Sequence, residues 1–432
     1  MKRKAVALAV GALFAAPAAH AQISFGNESI GTVQLYGKLY PEFLSAKGQG
    51  STQVGTGVST LVSRTGVYTS ALAGTTFIAA EGRIPDHNQR YGVDSQNSYI
   101  GFRGERNLGA TGLKGIWQVE QSIGIDNQTP ASNTFSNRNS FVGLGHRLFG
   151  TVKLGNMDTI YKEYGDTFAM FGIASGNFIS ASNVLSNIGV GNSGASRFHE
   201  RRANSIQYQT GEFAGFQAGV QYGPDEIRGD PGRGINANLW SYGVKWDSEH
   251  FYASVHQEIH YDAFGASSNI PDATIANSTG ASGNTRSRDS ATRVSGEVRF
   301  LGSQRIVVDI SRLHYTETGQ TGTSGKFQEY RKPTWGIGWD GGFGAWRFAT
   351  QYIHAGAGNC ALTGGVNCTT TGLDGRLVTV GARYRFDRQT FVYVIGARLQ
   401  NGASARFDNW ATSDPNRGED VKQAAVGISY SF

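Results

Sequence analysis

From Val33 to the end of the chain, apolar and polar residues alternate with a period of two. In 33–40 the odd positions are apolar, and in 113–120 one face carries Leu, Trp and Val while the other carries Lys, Gln and Glu. The stretches 293–300 and 426–432 repeat the pattern, and the last one ends on Phe432. Successive side chains of a strand point to opposite faces, so each stretch predicts a β-strand with one apolar and one polar face.

Sixteen such segments follow one another, and the connections between them alternate between short and long. A regular alternation of this kind predicts an up-and-down antiparallel sheet with all turns at one rim and all long loops at the other. Outer-membrane barrels have this asymmetry, and an even strand number places both termini at the turn side. The predicted strands are 33–43, 98–105, 113–121, 139–147, 150–156, 203–209, 215–222, 239–247, 250–261, 291–300, 304–315, 333–340, 345–354, 376–386, 390–400 and 421–432.

The polar face carries large charged groups, which predicts that it meets water instead of a packed core. A barrel of sixteen strands does not fill with side chains and leaves an aqueous lumen. The apolar face then contacts lipid, and aromatic residues at strand ends such as Trp240, Trp335 and Trp346 suit the two girdles of a membrane barrel. One alternative to the barrel is a soluble β-sandwich. The alternative for the aromatic residues is that they belong to an ordinary hydrophobic core. The predicted fold class is an all-β transmembrane antiparallel barrel.

The N-terminus has the features of an export signal. Lys2, Arg3 and Lys4 precede a short apolar run, and 19–21 read Ala-His-Ala, so we expect cleavage after residue 21 and one domain over 22–432. Without those three bases the formal net charge falls from +6 to +3 (6 − 3), which does not indicate nucleic-acid binding. No mature segment reaches the 18 apolar residues of a transmembrane helix.

The two cysteines, Cys360 and Cys368, fall in one long predicted loop. Export places them in an oxidising compartment, where disulfides persist. The sequence therefore predicts a disulfide that closes about nine residues and orders the loop without stabilising the barrel.

Between two predicted strands, residues 156–202 form a long stretch rich in Gly, Ser, Asn and Phe. Acidic residues lie at its front (Asp158, Glu163 and Asp166) and basic residues at its back (Arg197, Arg201 and Arg202). Long loops inside compact domains are usually functional or disordered. We interpret this one as folding into the barrel mouth and narrowing it; the alternative is a disordered surface loop.

Several motifs, in their order along the chain, resemble those of the Gram-negative general porins of betaproteobacterial type. They are 33–37 (VQLYG), 99–104 (YIGFRG), 112–120, 140–144 (SFVGL), 149–155 (FGTVKLG), 201–208, 213–216 and the terminal Phe432. The resemblance covers the mature chain and implies an outer-membrane homotrimer of sixteen-stranded barrels. It also implies that the third external loop bends inward, and that the assembly machinery reads Phe432. The resemblance further implies that the protein contacts outer-membrane lipid and lipopolysaccharide.

Charges at a pore constriction are also implied by the resemblance. Carried over by position, the loop acids are Asp158, Glu163 and Asp166, and the wall bases are Arg138 and Arg201. Tyr99 replaces a basic residue of the family pattern, and Lys38 and Arg103, inward by strand parity, are expected to supply that charge. The alternation of strand faces places Arg201 on the inner face of the wall. It places Arg138 on the inner face only if Phe141 faces lipid. The alternatives are that the bases are solvated residues of the wall and that the acids are ordinary loop charges, without a role in the pore.

The leading functional hypothesis is passive diffusion of small hydrophilic solutes and ions, with modest anion preference because inward bases such as Arg293, Arg299, Arg383 and Arg385 exceed the acids. Alternatives are a substrate-selective outer-membrane channel, a barrel enzyme such as a lipase, and a surface adhesin or receptor. Nine histidines show no metal-ligand spacing. No enzyme activity, metal or cofactor is therefore expected.

Overall fold

A computed structural model describes most of residues 23–432. The described residues are 23–27, 31–52, 61–62, 67–68, 85–95, 97–125, 138–173, 175–190, 197–224, 236–263, 285–320, 326–365, 368–409 and 415–432. The predicted signal peptide, 1–21, lies outside them.

Antiparallel strands dominate the structure, and two short helices, α1 (Ile160–Gly165) and α2 (Ser182–Leu185), follow β10. The strands are β1 Ile23–Asn27, β2 Gly31–Leu39, β3 Glu42–Gln49, β4 Leu61–Val62, β5 Val67–Tyr68, β6 Arg90–Asp94, β7 Tyr99–Asn107, β8 Leu113–Ser122, β9 Ser140–His146, β10 Gly150–Asp158, β11 Arg201–Gln209, β12 Phe216–Gly223, β13 Asn238–Asp247, β14 Phe251–Tyr261, β15 Arg286–Phe300, β16 Gln304–Thr318, β17 Phe327–Phe343, β18 Trp346–Ala355, β19 Asn359–Leu362, β20 Gly375–Arg385, β21 Thr390–Asn401 and β22 Asp420–Ser431.

The strands form a closed wall. Neighbours along the chain pair antiparallel, and the last strand, β22, pairs with β3 from Asp420 opposite Gln49 and with β2 at Lys38 opposite Ser431. Because β2 with β3 and β6 with β7 each make one wall strand, the ring has sixteen strands. This confirms the predicted fold class, in which closure leaves no sheet edge with unpaired amides.

The rims differ as the alternating connections predict. Seven connections of two to six residues join wall strands at one rim. In the turn between β15 and β16, Leu301 and Gly302 both have positive φ (48° and 70°), as the tight turns of hairpins require. The strand ends that flank the long connections lie at the opposite rim, since the strands alternate in direction.

The first two wall strands are longer than predicted, so the first external loop is shorter than the predicted 44–97. The first strand continues through β3 to Gln49, with an interruption at Tyr40 and Pro41, and the second begins at Arg90. In β3 the apolar residues Leu44 and Ala46 are buried on the same face as Glu42, whereas the inner face of the wall is mostly polar elsewhere. Leu44 and Ala46 pack into an apolar cluster with residues of the segment between β10 and β11, so the strand continues although its inner face is apolar here.

The two faces of the wall differ in polarity. Large apolar side chains are exposed on one face, for example Val142 (62%), Val255 (55%) and Val380 (56%). The opposite face carries buried polar residues, among them Gln207 and Glu258. In a closed barrel the exposed apolar face is the outer one, which confirms the assignment made from the period-two pattern.

The segment between β10 and β11 contacts the polar face of the wall. Helix α1 packs against β12 to β15, and α2 packs against β17, β18 and β20. Only a segment within the ring can contact strands so far apart around it. Apolar residues of its later part, including Ile188 and Phe198, pack on inward-facing Leu313 and Tyr330, which are fully buried. Burial of a large apolar side chain contributes roughly 1.5–3 kcal/mol.

Candidate functional site

The first part of the inward segment, 159–173, is seated by hydrogen bonds from the wall. Thr159 caps α1, since its side chain accepts a hydrogen bond from the Lys162 backbone amide. The Tyr161 amide donates to Ser241 Oγ (2.8 Å), and the Tyr252 hydroxyl donates to the Tyr164 carbonyl (2.6 Å). These bonds fix the position of a helix of only six residues, which would be marginal alone.

Two phenylalanines fix the tip of the segment, 166–173, against glycine positions of the wall. A Cβ at Gly338 of β17 would lie 3.0 Å from the Phe168 ring, and a Cβ at Gly381 of β20 would lie 2.7 Å from the Phe171 ring. Only glycine lets the rings approach the wall so closely. Arg305 adds hydrogen bonds to the carbonyls of Thr167 (3.2 Å) and Ala169 (3.1 Å).

The return limb, 177–190, is held to strands on the far side of the barrel. Asn177 donates to Glu42 Oε1 (2.9 Å), and Thr334 donates to the Leu185 carbonyl (2.8 Å). Lys332 is fully buried; its Nζ donates to the Ile188 carbonyl (3.0 Å) and lies 4.0 Å from the centre of the Phe407 ring. The segment therefore has a defined path within the described residues.

The three predicted loop acids lie in different surroundings. Asp158 forms ion pairs with Lys162 (2.9 Å) and Arg201 (3.0 Å), so its charge is compensated locally. Glu163 is exposed and accepts a hydrogen bond from Gln209 Nε2 (2.8 Å) on β11. Asp166 lies at the tip, with Oδ1 2.6 Å from His199 Nε2.

His199 connects the tip to the wall. Burial lowers its pKa, although Asp166 beside it acts in the opposite direction, and Arg293 and Lys162 lower the pKa further. Its Nδ1 lies 3.5 Å from an Arg293 nitrogen, which can only donate. A neutral imidazole that accepts on Nδ1 and carries its proton on Nε2, towards Asp166, fits both contacts.

The predicted wall bases on the first strands face the lumen. Lys38 Nζ donates to the Gly172 carbonyl (3.4 Å) and lies 5.0 Å from the centre of the Tyr40 ring. Arg103 donates to Gln34 (2.8 Å) and lies over Tyr36.

Arg138 forms an ion pair with Glu120 and lies 4.8 Å from the centre of the Tyr99 ring. The prediction that Arg138 faces inward only if Phe141 faces lipid is wrong. Val142 and Leu144 are the exposed residues of β9, so Phe141 is on the inner face. Arg138 precedes the first residue of β9 and turns inward independently of the strand alternation.

A cavity of about 1360 Å³ extends from the tip of the segment to the short turns. It is lined by eight Lys or Arg residues and five Asp or Glu residues, and it includes Lys38, Arg138 and Asp166 from the predicted set but not Arg103, Asp158, Glu163 or Arg201. The charged lining residues are Lys38, Arg138, Arg299, Arg305, Arg347, Arg383, Arg385, Arg388, Asp166, Glu249, Glu297, Asp340 and Asp387.

A row of arginines on β15 to β20 forms one side of this cavity. Glu297 is shared by Arg299 and Arg305 (3.0 Å for the latter), and Asp340 is shared by Arg305 (3.3 Å) and Arg347. Sequence reasoning found Arg299, Arg383 and Arg385 by parity but missed Arg305, Arg347 and Arg388. The same parity reading of β16 and β18 would have found the first two.

Arg293 does not extend the basic lumen as expected. Its side chain is 1% exposed and forms an ion pair with Asp309. Tyr161 of α1 covers it, with the guanidinium carbon 6.0 Å from the ring centre.

Cys360 and Cys368 are joined as a disulfide, with Cα atoms 5.9 Å apart. In the part of the chain that the structure covers, no group of three or more His, Cys, Asp or Glu residues is arranged to hold a metal ion. Neither of the helices found there has the length and apolar character needed to cross a membrane.

A closed antiparallel wall that is apolar outside and charged inside defines an outer-membrane type of β-barrel. The Gram-negative porin family profile matches residues 5–432, and the chain belongs to that family. Its location is therefore the outer membrane of a Gram-negative cell.

Curated relatives include the major outer membrane protein P.IB of Neisseria lactamica, 30% identical over 175 residues, and that of Neisseria gonorrhoeae, 34% identical over 157 residues. These matches cover 40% and 36% of this chain. The chain spans less than half of those relatives, 45% and 39% of their lengths.

Solved structures with the same fold include the anion-selective porin from Comamonas acidovorans, at TM-score 0.65 and 18% identity over 93% of this chain and 99% of that one. OmpT of Vibrio cholerae matches at TM-score 0.56 and 13% identity, over 95% of this chain and 100% of the other. At these identities the likeness shows the fold.

Proposed function

We propose that residues 22–432 form a single porin domain whose lumen is a water-filled channel for passive diffusion of small hydrophilic solutes and ions. The observation that carries this proposal is the charged cavity between the tip of the inward segment and the short turns. Membership of the porin family supports it. The channel performs no chemistry and needs no cofactor.

The inward segment, as the third external loop, narrows this channel. Its tip contacts the arginine row through Arg305 and the first wall strand through Lys38. Lys38, Arg138 and Asp166 line the narrowed region, whereas Asp158 with Arg201, Glu163 and Arg103 set the field above and beside it. Rings of fixed charge in a narrow aqueous pore select ions by sign.

A modest preference for anions follows from the excess of bases over acids in the cavity lining, eight against five. The neighbour from Comamonas acidovorans is itself named an anion-selective porin, which supports the same sign here. Salt screening limits the effect, because the Debye length at 1 M salt is only about 3 Å.

Insertion of the purified protein into a planar bilayer tests the proposal. We expect stepwise increases of current in symmetric KCl, each step being one insertion event. The absence of any conductance from protein that retains its β-sheet circular dichroism would contradict a channel function.

The channel is a homotrimer in contact with outer-membrane lipid and lipopolysaccharide. The resemblance to the general porins supports this assembly, and the exposed apolar outer face provides surface for both lipid and neighbouring copies. In gel electrophoresis the unboiled protein is expected to migrate as a trimer and the boiled protein as a monomer. A monomer in mild detergent before boiling would contradict the trimer.

A further inference from the structure

Arg383, on the inner face of β20, is a cavity arginine for which the described residues supply no ion-pair partner. Its cross-strand neighbour Arg347 forms an ion pair with Asp340, and Arg305 uses the same carboxylate. Among the described residues no carboxylate lies within ion-pair distance of Arg383. Its guanidinium is therefore available to an anion from the channel.

Two phenyl rings flank this guanidinium. The guanidinium carbon of Arg383 lies 4.7 Å from the centre of the Phe391 ring and 5.8 Å from the centre of the Phe171 ring. Both rings and the arginine line the cavity. A guanidinium held over ring faces keeps its N–H edge free, and that edge matches the two oxygens of a carboxylate.

The Phe171 ring is held there by a strained backbone. Phe171 has a φ of 51°, a conformation that residues with a side chain seldom adopt, and it forms the tip turn with Gly172. Glycine or asparagine would form that turn at lower cost. Strain of this kind persists where the surrounding structure imposes it, and it is concentrated at functional sites.

Buried Tyr40 connects Phe391 to a second cation. Phe391 contacts Tyr40 edge to face, with ring centres 6.2 Å apart, and Lys38 Nζ lies 5.0 Å from the centre of the Tyr40 ring. Arg383 and Lys38 are thus joined by Phe391 and Tyr40. We name Arg383, Phe391 and Lys38, which line the cavity, the aromatic–cation patch; Tyr40 and Phe171 are buried and pack against it.

We propose that the aromatic–cation patch binds aromatic carboxylates of the benzoate type as they pass through the channel. The carboxylate is bound by the N–H edge of Arg383, and the planar ring packs on the phenyl ring of Phe391, which is half-buried and lines the cavity. Phe171 is buried and positions the guanidinium. A small inorganic anion uses only the charge, whereas an aromatic carboxylate uses both charge and ring. This proposal rests on the proposed channel function and names a solute class for it.

Calorimetric titration of the detergent-solubilised trimer with benzoate and with cyclohexanecarboxylate tests the patch without any need for conduction. The two probes have the same charge and similar size, but only benzoate is flat and aromatic. We expect benzoate to bind about fivefold more tightly, the scale of one aromatic contact. Equal affinities, or no heat from either probe, would overturn the proposal.

Two variants on the same strand separate the patch from general charge. Arg383→Gln should abolish the benzoate preference, whereas Arg385→Gln, which removes another cavity arginine, should weaken both probes by the same factor. The same loss of preference in both variants would refute the assignment to Arg383. If Arg383→Gln does not fold, Phe391→Leu supplies the test, since it keeps the guanidinium and should bring the affinity ratio to about one.

Block of the single-channel KCl current by the same two probes connects binding to transport. A wild-type channel that conducts and is blocked at lower benzoate than cyclohexanecarboxylate concentration supports the patch. A channel that conducts but does not distinguish the probes refutes the patch and leaves the channel function intact. Protein that binds benzoate selectively but does not conduct refutes the channel function only.

Discussion

Arg201 and Arg383 both point into the barrel, but their surroundings differ. Arg201 forms an ion pair with Asp158 at 3.0 Å and also donates to Asn139. Arg383 has two aromatic neighbours and is close to a second arginine across the strand. The field that a passing ion experiences is the sum of such charges, so a base that is already paired contributes little to selectivity.

This difference predicts unequal effects of two matched substitutions. Arg383→Gln should lower the ratio of chloride to potassium permeability by about twofold, whereas Arg201→Gln should change it by much less. The measurement is the zero-current potential of each variant in a KCl gradient. A larger shift for Arg201→Gln would mean that Arg201 belongs to the constriction and Arg383 does not.

The inward segment is the element on which the channel proposal depends, and its attachment includes a buried histidine. His199 has a lowered pKa because of burial, so the docked segment excludes a proton that the free segment would bind. The docking free energy from this group is complete above the ordinary histidine pKa of about 6.5 and decreases as the pH falls below it. Acid therefore weakens the attachment.

Amide hydrogen exchange of residues 159–173 tests this sign. Protection factors in the wild type should decrease from pH 7.5 to pH 5.5, and the decrease should be smaller in His199→Gln, which keeps hydrogen-bonding atoms but does not titrate. The charged groups at this site are Asp166, Arg293 and Lys162. An unchanged pH dependence in the variant would assign the effect to another group.

The strands and the inward segment could be predicted from the sequence, but the partners within the segment could not. Period-two alternation identified the wall strands, because lipid outside and water inside impose opposite polarities on neighbouring residues. Near the external rim the inner face packs against the segment, so the apolar residues Leu313 and Tyr330 point inward. There the alternation of apolar and polar residues no longer distinguishes the inner face from the outer face. The gaps at Gly338 and Gly381 depend on cross-barrel contacts that no local pattern records.

At the scale of the whole molecule, the last residue of the chain takes part in closing the barrel. Phe432 exchanges two backbone hydrogen bonds with Gly37 (2.9 and 3.0 Å), next to the pairing of β22 with β2. The terminal residue is therefore part of the seam, the pairing of β22 with the first wall strand that closes the barrel. This is in addition to the assembly role that the porin resemblance implies.

Deletion of Phe432 and the substitution Phe432→Leu separate these two roles. Deletion removes both the seam bonds and the aromatic ring, whereas leucine keeps the backbone bonds. We expect outer-membrane levels to fall in both strains if the assembly machinery reads the ring, and only in the deletion if the seam alone matters. Normal levels in both would show that neither role is needed.

The zero-current potential of the wild-type protein in a KCl gradient across a planar bilayer tests the central claim most directly. The eight bases and five acids of the cavity lining predict a potential of the sign that marks chloride as the more permeant ion. The preference should weaken as the salt concentration rises, because screening shortens the reach of the fixed charges. A potential of the cation-selective sign, or one that does not change with salt, would contradict the account of this lumen.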